Sequence, residues 1–168
     1  SIVYATEQGL GILAKSFYDA GVVTDPVIVS YTARGARPMH PEWYPPGTRV
    51  IDNFADADGA MHRWVAELDV FLALETPFIW PLFEHAKASG VRTVLMPMHE
   101  CLHERMYKGY RDCIDLLLCP SLLEMQIDHP RKAFLPVPVD VPWRLRTRAE
   151  VFVHNAGHGG LRGRNGTR

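Results

Sequence analysis

The chain has 168 residues, 47% hydrophobic and 22% charged, with a formal net charge of −1. That length fills one domain and little more, and the near-neutral balance excludes a global field drawing the protein to nucleic acid or to a membrane surface. No apolar run approaches the ~18–20 residues of a membrane span, and no basic segment followed by an apolar one reads as a signal peptide.

Residues 2–5 are a short apolar run that predicts a first strand. Leu10, Leu13, Ala14 and Phe17 then follow at i, i+3, i+4 and i+7, one face of a helix that Gly21 ends. Residues 27–31 are rich in β-branched side chains and predict a second strand. Residues 32–48 carry Gly35, Gly47, Pro38, Pro41, Pro45 and Pro46, the composition of a long irregular loop, and such loops often carry function. A short strand at 49–51 and a helix with Ala57, Ala60, Met61, Trp64 and Val65 on one face come next. The apolar run 69–74 predicts another strand. Ile79, Leu82, Phe83 and Ala86 predict a helix with Pro81 in its first turn and Gly90 at its end.

Residues 91–96 and 115–119 predict two further strands, separated by a partly helical stretch over 99–113. Ser121 suits the cap of a short helix over 122–127, and 133–137 predicts a strand. The Pro-rich 136–142 is a linker, followed by a strand at 151–154 and a glycine run. Strands alternating with helices imply βαβ units. The expected fold is therefore α/β and Rossmann-like, a mostly parallel sheet with helices on both faces. Residues 1–140 form its domain. Residues 141–168 are too few to build a core, and they read as the opening of a second, truncated domain. The three cysteines, Cys101, Cys113 and Cys119, form no C-x-x-C, which suits free thiols in a reducing, cytoplasmic compartment.

Four groups of residues carry chemistry. Gly9-Leu10-Gly11-Ile12-Leu13-Ala14 fits G-x-G-x-x-A after the first strand. Glycines there let the backbone approach a ligand and offer helix N–H groups to an anion, or they simply make a tight turn. A dinucleotide site would want an acid at the end of the second strand, where Ser30 and Tyr31 stand. His99-Glu100-Cys101-Leu102-His103 spells H-E-x-x-H, a zinc-hydrolase spacing when both imidazoles share a helix face, with Glu124 as a third ligand. Against this, His99 directly follows a strand and Pro97, which makes the first His a strand-end residue.

If the first strand neighbours the 69–74 strand, the crevice at the strand carboxyl ends collects Glu7, Gln8, Gly9, Gly11, Glu75 and Thr76. The next strand end adds His99 and Glu100, a His–carboxylate pair able to position a hydroxyl or share a proton. Equally, Glu75 caps the helix that follows and His99 is a solvated loop residue. His40, Trp43, Tyr44 and Arg49 stand in and beside the long loop, where aromatic faces suit sugar rings, or the two aromatics pack the loop down. The last group is the terminal glycine run with Arg162 and Arg164, an anion cradle or a flexible basic tail.

These residues resemble the retaining glycosyltransferases of the GT-B fold, the "group 1" family. Gly9-Leu10-Gly11 looks like that family's glycine-rich loop. The segment Val94-Leu95-Met96-Pro97-Met98-His99-Glu100 is similar to its strand ending in a His and an acid, and Leu117-Leu118-Cys119-Pro120-Ser121 to its strand-then-Ser segment. Phe134-Leu135-Pro136-Val137-Pro138-Val139-Asp140 resembles its hinge, with Pro138 at the usual glycine. The segment 151–167 resembles the first strand and phosphate loop of the second domain, with Asn165 at the family's lysine.

The resemblance implies transfer of a sugar from a nucleoside-diphosphate donor to a hydroxyl acceptor. It assigns His99 and Glu100 to catalysis, Gly9, Gly11, Arg162 and Arg164 to the donor and its phosphates, and Glu75, Trp43 and Tyr44 to the acceptor side. No metal and no resident cofactor are expected, since the nucleotide sugar is a substrate. The expected partners are that donor and an unidentified hydroxyl acceptor, without nucleic acid and without a transmembrane segment, though peripheral membrane contact is compatible. The isolated chain is expected to be inactive. The alternatives are a zinc hydrolase and a non-catalytic Rossmann-like binding module.

Overall fold

The computed structural model describes residues 1–6, 9–30, 39–52, 59–75, 79–99, 102 and 104–137. The chain divides into two units, Ser1–Pro138 and Val139–Arg168, and every described residue belongs to the first. The expectations for Glu7, Gln8, Thr76, Glu100, His103, Arg162, Arg164 and the strand at 151–154 thus lie outside the described residues.

Among the described residues seven strands and four α-helices follow one another: β1 (Ile2–Val3), α1 (Gly9–Asp19), β2 (Val27–Ser30), β3 (Val50–Asp52), α2 (Ala60–Ala66), β4 (Val70–Glu75), α3 (Pro81–Ala88), β5 (Arg92–Pro97), α4 (Glu104–Tyr110), β6 (Leu116–Cys119) and β7 (Lys132–Phe134). Every ladder among the described residues is parallel, in two sheets ordered β1-β2-β3 and β4-β5-β6-β7. β1 lies beside β4, and the Ser1 hydroxyl donates to the Leu72 carbonyl at 2.8 Å. The chain thus builds outward from β1 in one direction and from β4 in the other, the topological switch of a Rossmann-like fold.

Parallel strands buried on both faces need apolar residues at successive positions, and the sequence supplies them. Tyr4, Val27, Val29, Phe71, Ala73, Leu95 and Leu117 point to one core, shared with Met61 and Val65 of α2, Leu82 and Phe83 of α3 and Tyr107 of α4. Val3, Ala5, Ile28, Leu72, Leu74 and Met96 point to the other, against Leu13, Ala14 and Phe17 of α1. Helices therefore cover both faces, as expected. Complete burial of Phe71 or Phe83 contributes about 2–3 kcal/mol each before entropy is charged. α3 has Pro81 at its first position, and the chain leaves it through Gly90 at φ 79, a left-handed turn that a side chain would resist.

Two elements differ from expectation. The helix over 122–127 is a single 3₁₀ turn, Glu124–Gln126, which ends where Ile127 takes extended backbone at φ −61 and ψ 132. The last strand is Lys132–Phe134 instead of 133–137. Leu135 still donates to the Cys119 carbonyl at 3.0 Å, but Pro136 has no N–H to continue the ladder. No described helix is long and apolar enough to cross a membrane.

Candidate functional site

The carboxyl ends of β1, β4 and β5 meet at the switch point. The two glycines of the first turn do different work there. A Cβ on Gly11 would stand 1.9 Å from the Thr6 carbonyl oxygen, so this glycine lets α1 pack against the chain leaving β1. A Cβ on Gly9 would meet nothing within 4 Å. Gly9 is exposed at the start of α1 and leaves that turn open. The G-x-G spacing is thus half packing and half opening.

β4 ends on Glu75, which sits opposite Pro97 of β5 in the ladder. Its φ of 67 makes it the one non-glycine residue in the left-handed region among those described. That conformation costs an L-residue ~1–2 kcal/mol, and such strain gathers at functional positions. Glu75 does not cap the next helix, whose cap position is Trp80.

His99 stands two residues beyond β5 with its side chain exposed. Its backbone N–H donates to Glu124 Oε1 at 2.8 Å. Glu124 is only 4% exposed, and its other carboxylate oxygen accepts from the Ser121 hydroxyl. Burial pushes the Glu124 carboxyl up. The hydrogen bonds from Ser121 Oγ and from the backbone N–H groups of Glu124, His99 and Ser121 outweigh it and hold the group below its ordinary value. A buried carboxylate thus ties the loop after β6 to the loop after β5 and fixes the path of the chain at His99. The sequence signal for it is the Ser-x-x-Glu spacing of Ser121 and Glu124, a capping-box pattern.

This geometry departs from the zinc arrangement. α4 begins only at Glu104, so His99 precedes the helix that was to carry both imidazoles. Each oxygen of Glu124 accepts a hydrogen bond, from the His99 N–H and from the Ser121 hydroxyl.

Of the two readings of Tyr44, as an acceptor-side residue or as packing for the loop, its surroundings match the second. It is 4% exposed, donates its hydroxyl to the Tyr4 carbonyl at 3.1 Å and meets the Tyr18 ring edge-on at 5.1 Å. Burial, then the charge of Asp19, pushes its phenol up. It packs the loop down and presents no ring face to a ligand. Trp43 is half-buried and stacks on His40 with ring centroids 5.0 Å apart and planes at 10°. His40 donates its backbone N–H to the Ala5 carbonyl at 2.7 Å, and its Nδ1 lies 2.9 Å from Glu42 Oε1. The His40–Trp43 stack is therefore moored to the carboxyl end of β1. Arg49 leads into β3 at the opposite end of the sheet and is not brought to the site.

Gly9, the His40–Trp43 stack, Glu75 and His99 thus stand where β1, β4 and β5 give way to loops. No protein-family model, no curated protein and no solved structure matches the chain.

Proposed function

We propose that residues 1–140 are the acceptor-side domain of a nucleotide-sugar-dependent glycosyltransferase, which moves a sugar from a nucleoside diphosphate to a hydroxyl acceptor. The observation that supports this reading most is that an open glycine turn, a left-handed Glu75 and an exposed His99 follow β1, β4 and β5, the strands at and beside the switch point. Ligands of open α/β sheets bind outside the strand carboxyl ends at that point. Gly9 and the first turn of α1 give a donor sugar or phosphate close access to backbone. His99, its chain path fixed by Glu124, presents an imidazole to the sugar. Glu75 faces the acceptor side. Loss of the diphosphate would be assisted by N–H donors and by Arg162 and Arg164, which the resemblance assigns to the donor phosphates.

The reading predicts that a polypeptide carrying this chain together with a complete second domain releases nucleoside diphosphate from at least one nucleotide sugar when acceptor is present. His99→Ala is expected to lower kcat roughly 100-fold or more with an unchanged thermal midpoint, the scale of a lost positioned catalytic group. Wild-type turnover by that variant removes His99 from the mechanism. Turnover by residues 1–168 alone overturns the two-domain reading.

A further inference from the structure

The amino ends of the strands hold a second constellation, at the opposite edge from Gly9, Glu75 and His99. The segments leading into β5, β6 and β7 border a cavity of about 360 Å³. Its lining includes four cations, Lys87, Arg92, Arg111 and Arg131, against two carboxylates, Asp112 and Asp115.

The carboxylates do not neutralise the cations. Asp115 Oδ2 accepts the Thr93 N–H at 3.0 Å, and the Asp115 N–H returns a bond to Thr93 Oγ1 at 2.9 Å. Lys87 donates to the backbone carbonyl of Asp112, which leaves its charge uncancelled. Arg111 reaches Asp128 with Nη2 at 3.2 Å, yet its Nε–H is buried with no acceptor among the described residues. Four cations against Asp112, Asp115 and the Asp128 that Arg111 meets leave one positive charge in excess at this concavity, with the exposed Arg92 and Arg131 in no ion pair among the described residues. Like charges at such range repel unless an anion joins them.

The walls are held in place independently of any ligand. His129 is 5% exposed, with Nε2 3.0 Å from the Ile114 carbonyl and Nδ1 2.7 Å from the Arg131 carbonyl. It joins the segment before β6 to the segment before β7. Arg111 and Arg131 thus stand on a braced frame.

We propose that this cavity binds a small phosphorylated molecule, a phosphate monoester or a diphosphate. Planar guanidinium groups chelate phosphate oxygens bidentately, and a tetrahedral polyanion offers acceptors to donors arriving from several sides at once. A concave site suits a soluble phosphate better than the headgroups of a flat bilayer. The site is separate from the proposed donor site, and either stands without the other.

Calorimetric titration of the chain with sodium pyrophosphate at constant ionic strength tests the proposal, with succinate as the carboxylate control and phosphatidylglycerol vesicles as the membrane control. Saturable pyrophosphate binding is expected, tighter than that of succinate and at least about 10-fold weaker in Arg92→Gln/Arg131→Gln. Both arginines are exposed, so the double variant should keep its thermal midpoint. Equal affinity in the double variant, equal binding of succinate, or association with vesicles alone overturns the proposal.

Discussion

The two edges of the sheet are built differently although the same strands end at both. At the amino edge, side chains lock leading segments to one another: Thr93 with Asp115, and His129 with Ile114 and Arg131. At the carboxyl edge, the described chain opens through Gly9, bends through a left-handed Glu75 and exposes His99. One buried carboxylate, Glu124, supplies a tie there that the amino edge shares among several residues. The difference suggests that the amino edge presents charge on a stiff frame. The carboxyl edge keeps its candidate functional groups at transitions from ladder to loop, where side chains take over from the ladder as backbone partners, as Glu124 does for the His99 N–H.

The largest effect that sharpens this contrast is expected at Gly11. Gly11→Ala drives a Cβ onto a backbone oxygen at 1.9 Å, and backbone cannot rotate away as a side-chain tip can. A loss of about 3 kcal/mol or more in urea unfolding is expected, the upper range of overpacking. Gly9→Ala, with open space around it, should change stability by no more than about 0.5 kcal/mol. Similar losses at both positions would show that the turn is one packed unit with no opening.

Next in size is Glu124. Glu124→Ala leaves the His99 N–H and the Ser121 hydroxyl without their acceptor, a loss of about 2 kcal/mol. The pH dependence follows from the direction of the shift. The folded-state carboxyl is held below its ordinary 4.5, so its contribution is present above that pH and is lost as the pH falls below it. Glu124→Gln removes this titration. The stability gap between wild type and variant should therefore narrow in acid, and a gap constant from pH 7 to about pH 3 would show that the charge contributes nothing.

Much of this was legible in the sequence because periodicity reports burial. The 3.6-residue pattern placed α1 and α3, and the apolar runs placed β4 and β5, since both faces of a parallel sheet are covered. The switch point was legible as a condition: strand one beside the 69–74 strand. Tyr44 was not legible, because an aromatic ring in a Pro-rich loop has the same composition whether it faces solvent or core. Its 4% exposure is decided by Tyr4 and Tyr18, distant in sequence. The basic cavity was hidden for the same reason. Lys87 with Arg92, then Arg111, then Arg131 come from three separate stretches of a chain of net charge −1, and the parallel register brings those stretches together.

The smallest effect is also the cleanest test of strain at the carboxyl edge. Replacing Glu75 by Ala and by Gly removes the carboxylate in both cases, so whatever the side chain contacts is lost equally. The two variants differ only in whether a Cβ must occupy φ 67. Glycine reaches that region without steric penalty, but it carries more unfolded-state entropy to lose. The net expectation is that Glu75→Gly is about 1 kcal/mol more stable than Glu75→Ala, read from paired denaturant midpoints. In an ordinary strand the order is reversed, because glycine weakens strand interiors. The order of the two variants therefore reports the backbone conformation directly. An Ala variant as stable as the Gly variant would mean that Glu75 relaxes out of the left-handed region at no cost, which would leave the carboxyl edge no more strained than the amino edge.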